Sequence, residues 1–216
     1  MKQCLFFLVA LSGGGCALTD LTLRAPEVPA VARQCTSTRP LVTLVTPLED
    51  NRPQKKRCGM KKNSYNMDTA DIFCGAEPAQ YLAGLLAVEL DKAGFEVRHT
   101  SSLAASASTD GVQLEGQLLQ FFVEPAVGFA TFTPEADAYV RLLATSASGL
   151  KAERDFYVKW EETSIVGTED NFQIAADKAT SGVVINMAHA VQELLERYPQ
   201  LKTRTAGNST QGQPCS

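Results

Sequence analysis

The sequence predicts an α+β fold: a mostly antiparallel sheet of four to five strands with two helices packed on one face. Three observations point to it. Segments 112–123, 136–145 and 154–162 alternate apolar and polar residues, as half-buried antiparallel strands do. Segments 77–94 and 172–198 repeat apolar residues at three- and four-residue spacing, the period of an amphipathic helix. The 216 residues, 44% hydrophobic and 20% charged, suit one ordinary globular core with tails.

Taken in order, the chain opens with Lys2, an apolar run from Leu5 to Leu11, small residues and Cys16. That run is too short to span a bilayer as a permanent helix, so residues 1–15 read as a secretory signal peptide. Small residues ending in a cysteine resemble the lipobox of bacterial lipoproteins, in which the cysteine takes a diacylglyceryl group and signal peptidase II cuts before it. Cys16 is then the acylated N-terminus. Lipoboxes usually carry Leu or Val three residues earlier, where this chain has Gly13. The alternative is ordinary cleavage after Ala17, which releases a soluble periplasmic protein. By resemblance to the enterobacterial sorting rule, Ala17 in place of Asp favours the outer membrane over the inner.

Residues 16–40 contain Pro and Thr without a sustained period and read as a flexible tether. About 24 such residues extend to roughly 80 Å at most, enough to hold a domain off the bilayer. The α+β domain is expected over 41–199. Its first strand is the β-branched run 41–46, bounded by Pro40 and Pro47, and residues 49–75 form a long polar loop. Helix 77–94 has Pro78 in its first turn, Leu82, Leu85, Leu86 and Leu90 on its stripe, and Gly94 as its stop. A short strand over 95–99 and a small-residue loop over 103–111 precede the three long strands. Residues 125–134 read as an apolar, turn-rich connection between the first two of these. Ala176, Val183, Val184, Met187, Val191, Leu194 and Leu195 stripe the closing helix, Pro199 ends it, and 200–216 is a polar tail.

A net charge of −4 argues against nucleic acid as a partner, since neutralising phosphates needs a basic face. Catalysis has little to stand on: His99 and His189 lack a Ser or Cys partner at a recognisable spacing and read as structural. There is no Gly-x-Ser-x-Gly, no His-Glu-x-x-His and no phosphate-cradling loop, because Gly13 to Gly15 belong to the leader. No enzyme, cofactor or metal is expected. The six cysteines, less Cys4 in the leader and an acylated Cys16, leave Cys35, Cys58, Cys74 and Cys215, an even set for an oxidising compartment. Their wide spacing suits neither zinc nor a redox pair. A Cys58–Cys74 disulfide would close a loop of about fifteen residues, worth roughly 3 kcal/mol in the chain-entropy account. Cys35 and Cys215 would then pair by elimination, and two other connectivities stay open. Lys55, Lys56, Arg57, Lys61 and Lys62 crowd five cations into eight residues, either a solvated loop or a contact for lipid phosphate, lipopolysaccharide or an acidic partner.

Further likeness lies in longer strings. Thr46-Pro-Leu-Glu-Asp-Asn-Arg-Pro53, then Gly59-Met-Lys-Lys-Asn63, a helix ending Leu90-Asp-Lys-Ala-Gly-Phe-Glu-Val97, three strands and a closing helix resemble the YajG-type bacterial lipoproteins over about residues 41–199. In that family an Asp-x-Arg element follows the first strand, and a Gly with a nearby Asn comes next. Asp50, Arg52, Gly59 and Asn63 match. The cysteines and the basic cluster are not part of that pattern, so the loop is specialised here. A small α+β domain on a tether is also analogous, at the level of fold, to auxiliary lipoprotein subunits of envelope transporters. The resemblance implies an envelope lipoprotein; with the leader, Cys16, Ala17 and the lack of catalytic motifs, the expectation is a non-enzymatic protein anchored in the outer membrane through Cys16 and facing the periplasm. Its partner would be an envelope protein or an anionic lipid, met through Asp50, Arg52, Lys55, Lys56, Arg57, Lys61, Lys62 and Asn63. A soluble periplasmic binding or inhibitor module is the alternative.

Overall fold

The computed structural model describes residues 19–30, 39–101, 111–128, 132–146, 148–162 and 168–198. The elements run β1 (Leu21–Leu23), β2 (Leu41–Val45), β3 (Glu49–Asp50), β4 (Arg57–Lys62), β5 (Asp68–Cys74), α1 (Pro78–Lys92), β6 (Glu96–Thr100), β7 (Val112–Val127), β8 (Phe132–Ser146), β9 (Lys151–Glu161) and α2 (Glu169–Arg197). The expected signal peptide over 1–15, Cys16, Cys35, Cys215 and the expected tail over 200–216 lie outside the described residues.

β7 is the axis of the sheet. One edge pairs antiparallel with β8 along nearly its whole length, and β9 adds antiparallel outside β8. The other edge is shared in turn by three strands, all parallel to it. β2 lies beside Val112 to Leu114, β3 beside Gln117 and Leu118, and β4 touches it at Gly59 opposite Val123. β6 lies parallel outside β2, β5 antiparallel outside β4, and β1 parallel outside β5.

The fold is α+β with two helices, but the sheet corrects the expectation of four to five mostly antiparallel strands. Nine strands are present among the described residues, in a mixed sheet. β2 and β6 are parallel neighbours, and the chain between them is the long crossover that parallel pairing requires, made of β3, the β4–β5 hairpin and α1. The four consecutive buried residues Leu41, Val42, Thr43 and Leu44 reflect this, because a parallel strand is covered on both faces. Segment 49–75, expected as a loop, holds β3 and the β4–β5 hairpin. β1 falls in the segment expected as tether, and its Leu23 belongs to the core.

Both helices pack on the apolar face and against each other. Leu82, Leu86 and Leu90 of α1 are buried, as are Val183, Met187 and Leu195 of α2. They meet Leu114, Leu118 and Val123 of β7 and Ala136, Ala138 and Val140 of β8 in one cluster. Small side chains on both sides, Ala136 and Ala138 on β8 and Ala175, Ala176 and Ala179 on α2, leave room for the helix to lie close to the strand. α2 begins at a cap in which Asn171 Oδ1 accepts the Thr168 N–H at 3.0 Å, with Glu169 and Asp170 placed favourably in the first turn.

Candidate functional site

The structure gathers most of the singled-out residues on or beside the β4–β5 hairpin. At its tip Asn63 Oδ1 accepts N–H bonds from Tyr65 at 3.0 Å and Met67 at 3.1 Å. Asn66 has φ 61°, the left-handed conformation that Asn tolerates better than most residues. At its base Cys58 and Cys74 form a disulfide, with Cα atoms 5.3 Å apart.

Arg52 lies against that disulfide with only 3% of its side chain exposed. Its five N–H donors meet five acceptors. Nε donates to Asp50 Oδ1 at 3.0 Å, and Nη2 to Asp50 Oδ2 at 2.9 Å and the Lys55 carbonyl at 2.7 Å. Nη1 faces Cys58 Sγ at 3.3 Å and Cys74 Sγ at 3.6 Å. Such saturation is what a buried guanidinium requires. Burial pushes the Asp50 carboxyl up, but the Arg52 side-chain and backbone hydrogen bonds and the charges of Arg52 and Lys55 outweigh it and hold the pKa below the usual value. Tyr81, edge-on to Phe121 at 6.2 Å, is buried and has its hydroxyl pKa pushed up by desolvation.

The basic cluster separates into paired and exposed members. Lys61, with 5% of its side chain exposed, pairs with Glu169 at the start of α2 at 2.8 Å. Lys62 pairs with Glu124 of β7 at 2.5 Å, and Arg57 with Asp71 across the hairpin. Lys55 and Lys56 are exposed in the turn before β4. Gly59 has a positional reason: a Cβ there would sit 1.9 Å from the Val123 carbonyl oxygen, where β4 and β7 touch. Asp50, Arg52, Gly59 and Asn63 of the recurring pattern thus each have a part in the local architecture.

Beside Arg52 opens a cleft of about 270 Å³ lined by Arg52, Pro53, Gln54, Arg57, Leu119, Gln120, Phe121 and Phe122. It lies where β7 slips register against β8 between Leu118 and Gln120. Sequence reasoning missed its β7 wall, yet a signal was there. The apolar parity of β7 changes from Val112, Leu114 and Leu118 to Phe121 and Val123, as one inserted residue demands. With the Arg52 donors taken, the positive charge open to a ligand here comes from Arg57 and from the exposed Lys55 and Lys56 in the same turn, beside the rings of Phe121 and Phe122, which suits a ligand with an anionic and an apolar part. His99 on β6 and His189 on α2 are both exposed and distant in sequence from this cleft. Among the described residues no group of three His, Cys, Asp or Glu side chains could hold a metal ion, and no helix is long and apolar enough to cross a membrane.

No protein-family model and no curated protein matches the chain. Solved structures do resemble it. One is a protein from Xanthomonas campestris assigned to the family DUF330, with TM-score 0.55 and 13% identity, covering 84% of this chain and 98% of the other. A minor lipoprotein from Acinetobacter baumannii has TM-score 0.38 and 11% identity, covering 74% and 92%. Lipoprotein GNA1162 from Neisseria meningitidis has TM-score 0.35 and 9% identity, covering 73% and 99%. At its identity the first shows a shared fold alone, and the other two are too remote to add to it.

Proposed function

We propose that this protein is a non-enzymatic bacterial envelope lipoprotein of the YajG-type pattern. It is held in the outer membrane by an acylated Cys16, faces the periplasm, and binds an envelope component that presents negative charge at the cleft beside Arg52. The observation that carries the reading is the Cys58–Cys74 disulfide seated under Arg52, a structural bond that belongs to an oxidising compartment. The leader ending in Cys16 supports export from the sequence side. The cleft supports binding, with Arg57 and Gln54 at its mouth, Phe122 in its wall and the exposed Lys55 and Lys56 in the same turn. A role as an auxiliary subunit of an envelope transporter is one form such binding takes.

Two measurements test this. Cells fed labelled fatty acid are expected to label the protein, and Cys16→Ala to abolish the label. An unacylated mature N-terminus at Leu18 would instead establish the soluble periplasmic alternative. A photo-crosslinker at Lys56 in intact cells is expected to capture a discrete adduct that the Arg57→Glu variant weakens. Equal capture from a crosslinker at Ile185, on the exposed side of α2, would sink the cleft as the contact.

A further inference from the structure

Strand β1 determines how far the domain can stand from an anchor at Cys16. It lies parallel to β5, with Leu21 opposite Ile72 and Leu23 opposite Cys74, so its start points toward the hairpin tip. That start is fixed, because Asp20 Oδ1 accepts the Asp71 N–H at 3.0 Å. Its end is fixed too: the Leu23 carbonyl accepts from the Gly75 N–H at 2.8 Å, and Gln173 Oε1 accepts from the Arg24 N–H at 2.8 Å. The tether therefore does not pay out from residue 40. Between Cys16 and the docked Asp20 there are four residue steps, at most about 14 Å. From Asp71, level with Asp20, four steps lead back to Met67 beside the tip, about 13 Å at the rise of a strand. A lipid on Cys16 thus reaches about as far as the tip and no further.

The tip is built to be met. Tyr65 is 83% exposed and Met67 57%; of the large apolar side chains among the described residues, only Tyr157, on the outer sheet face at 58%, is comparably exposed. They stand on a braced finger, with the Asn63 carboxamide inside the turn, Lys61–Glu169 and Lys62–Glu124 along the strands and the disulfide at the base. Tyrosine favours the level of lipid headgroups, where its ring is apolar and its hydroxyl wet, and a methionine thioether suits the acyl boundary. Lys62 is paired and Asp68 is exposed beside the tip, so attraction to anionic lipid is not the drive.

We infer that the β4–β5 tip rests in the headgroup layer of the membrane that carries the anchor, with Tyr65 and Met67 inserted. This rests on the lipoprotein reading above. Two side chains would recruit a free protein weakly, but an anchor within reach makes the contact intramolecular and raises its effective concentration. The hairpin then stands upright. Its base and the Arg52 cleft sit about 17 Å of strand away from the bilayer side, open to the periplasm.

The test uses the acylated full-length protein, purified from membranes and reconstituted into vesicles of phosphatidylethanolamine, phosphatidylglycerol and phosphatidylcholine brominated near the headgroup. The chain has a single tryptophan, Trp160, so Trp160→Phe with Tyr65→Trp gives one reporter at the tip, and Trp160→Phe with Tyr157→Trp gives one on the outer sheet face. Both variants are checked for a cooperative melt. The tip indole is expected to lose about half its emission to the brominated lipid while the sheet indole keeps its own. Flotation with the vesicles but no quenching at the tip, or equal quenching at both positions, overturns the docked tip and leaves the anchor standing. Failure to float overturns the anchor and the docked tip together.

Discussion

Along β8 every second residue from Pro134 to Ser146 is buried, whereas between Asp50 and Cys74 the buried side chains include Arg52 and Lys61. The β7–β9 meander is held by long ladders and an apolar inner face. Its outer face carries exposed pairs such as Arg141–Asp155 at 2.8 Å and Lys159–Glu135 at 2.8 Å. On the opposite edge of β7 three short strands take turns, and the backbone pairing is interrupted between them. From Asp50 to Arg57 the ladder has one retained bond, Asn51 N–H to the Leu118 carbonyl at 2.9 Å. The segment is braced from within instead: the Arg52 guanidinium ties Asp50, the Lys55 carbonyl and the disulfide together, and the disulfide joins β4 to β5. Where strands are long, apolar burial suffices; where they are broken, polar side chains and a covalent bond do the joining.

The difference can be broken on purpose. Arg52→Ala leaves Asp50 without its partner in a place 12% exposed, and should cost about 4 kcal/mol in urea unfolding. A loss under about 1 kcal/mol would mean that Arg52 is no strut. Gly59→Ala drives a Cβ against the Val123 backbone and should cost about 3 kcal/mol, read as a lowered midpoint with an unchanged slope. Replacing Cys58 and Cys74 by Ala opens a loop closed across a sequence separation of 16 and should cost up to about 3 kcal/mol, with the β7–β9 meander the last part to lose amide-exchange protection. Acid acts through Asp50. Its pKa is lower folded than unfolded, so its contribution is present above the ordinary value near 3.8 and is lost as pH falls through the folded value. Asp50→Asn should therefore flatten the acid limb of stability against pH, and an unchanged limb would count against the pairing. In the meander Arg141→Ala should leave the unfolding midpoint where it was, because the pair it breaks is exposed on both sides.

How much of this could be read from the chain follows the same divide. The meander and both helices were legible because their periods are simple: Val112, Leu114 and Gly116 on one face of β7, Leu82, Leu86 and Leu90 on one stripe of α1. The hairpin was not, because its buried positions hold Cys58, Gly59 and Lys61, which face inward for a disulfide, a close backbone approach and an ion pair. Period-based reasoning counts apolar residues, and those three are silent to it. β1 has three residues and no period at all; only its partner β5 makes it a strand. For the candidate site, the Cys58–Cys74 pairing and the clustering of Asp50 with Arg52 were within reach of sequence. The Leu119 to Phe122 wall of the cleft came from a bulge whose parity shift went unread.

One more property follows from which strands end the sheet. Its outermost members are β1, three residues long; β6, which carries Arg98 and the exposed His99; and β9, whose free side shows Lys151, Glu153, Arg154, Asp155, Lys159 and Glu161. Short or heavily charged margins discourage another chain from adding itself as a further strand. Even where copies crowd together, such margins protect the domain against templated aggregation, and whatever docks on it must be recognised by side chains.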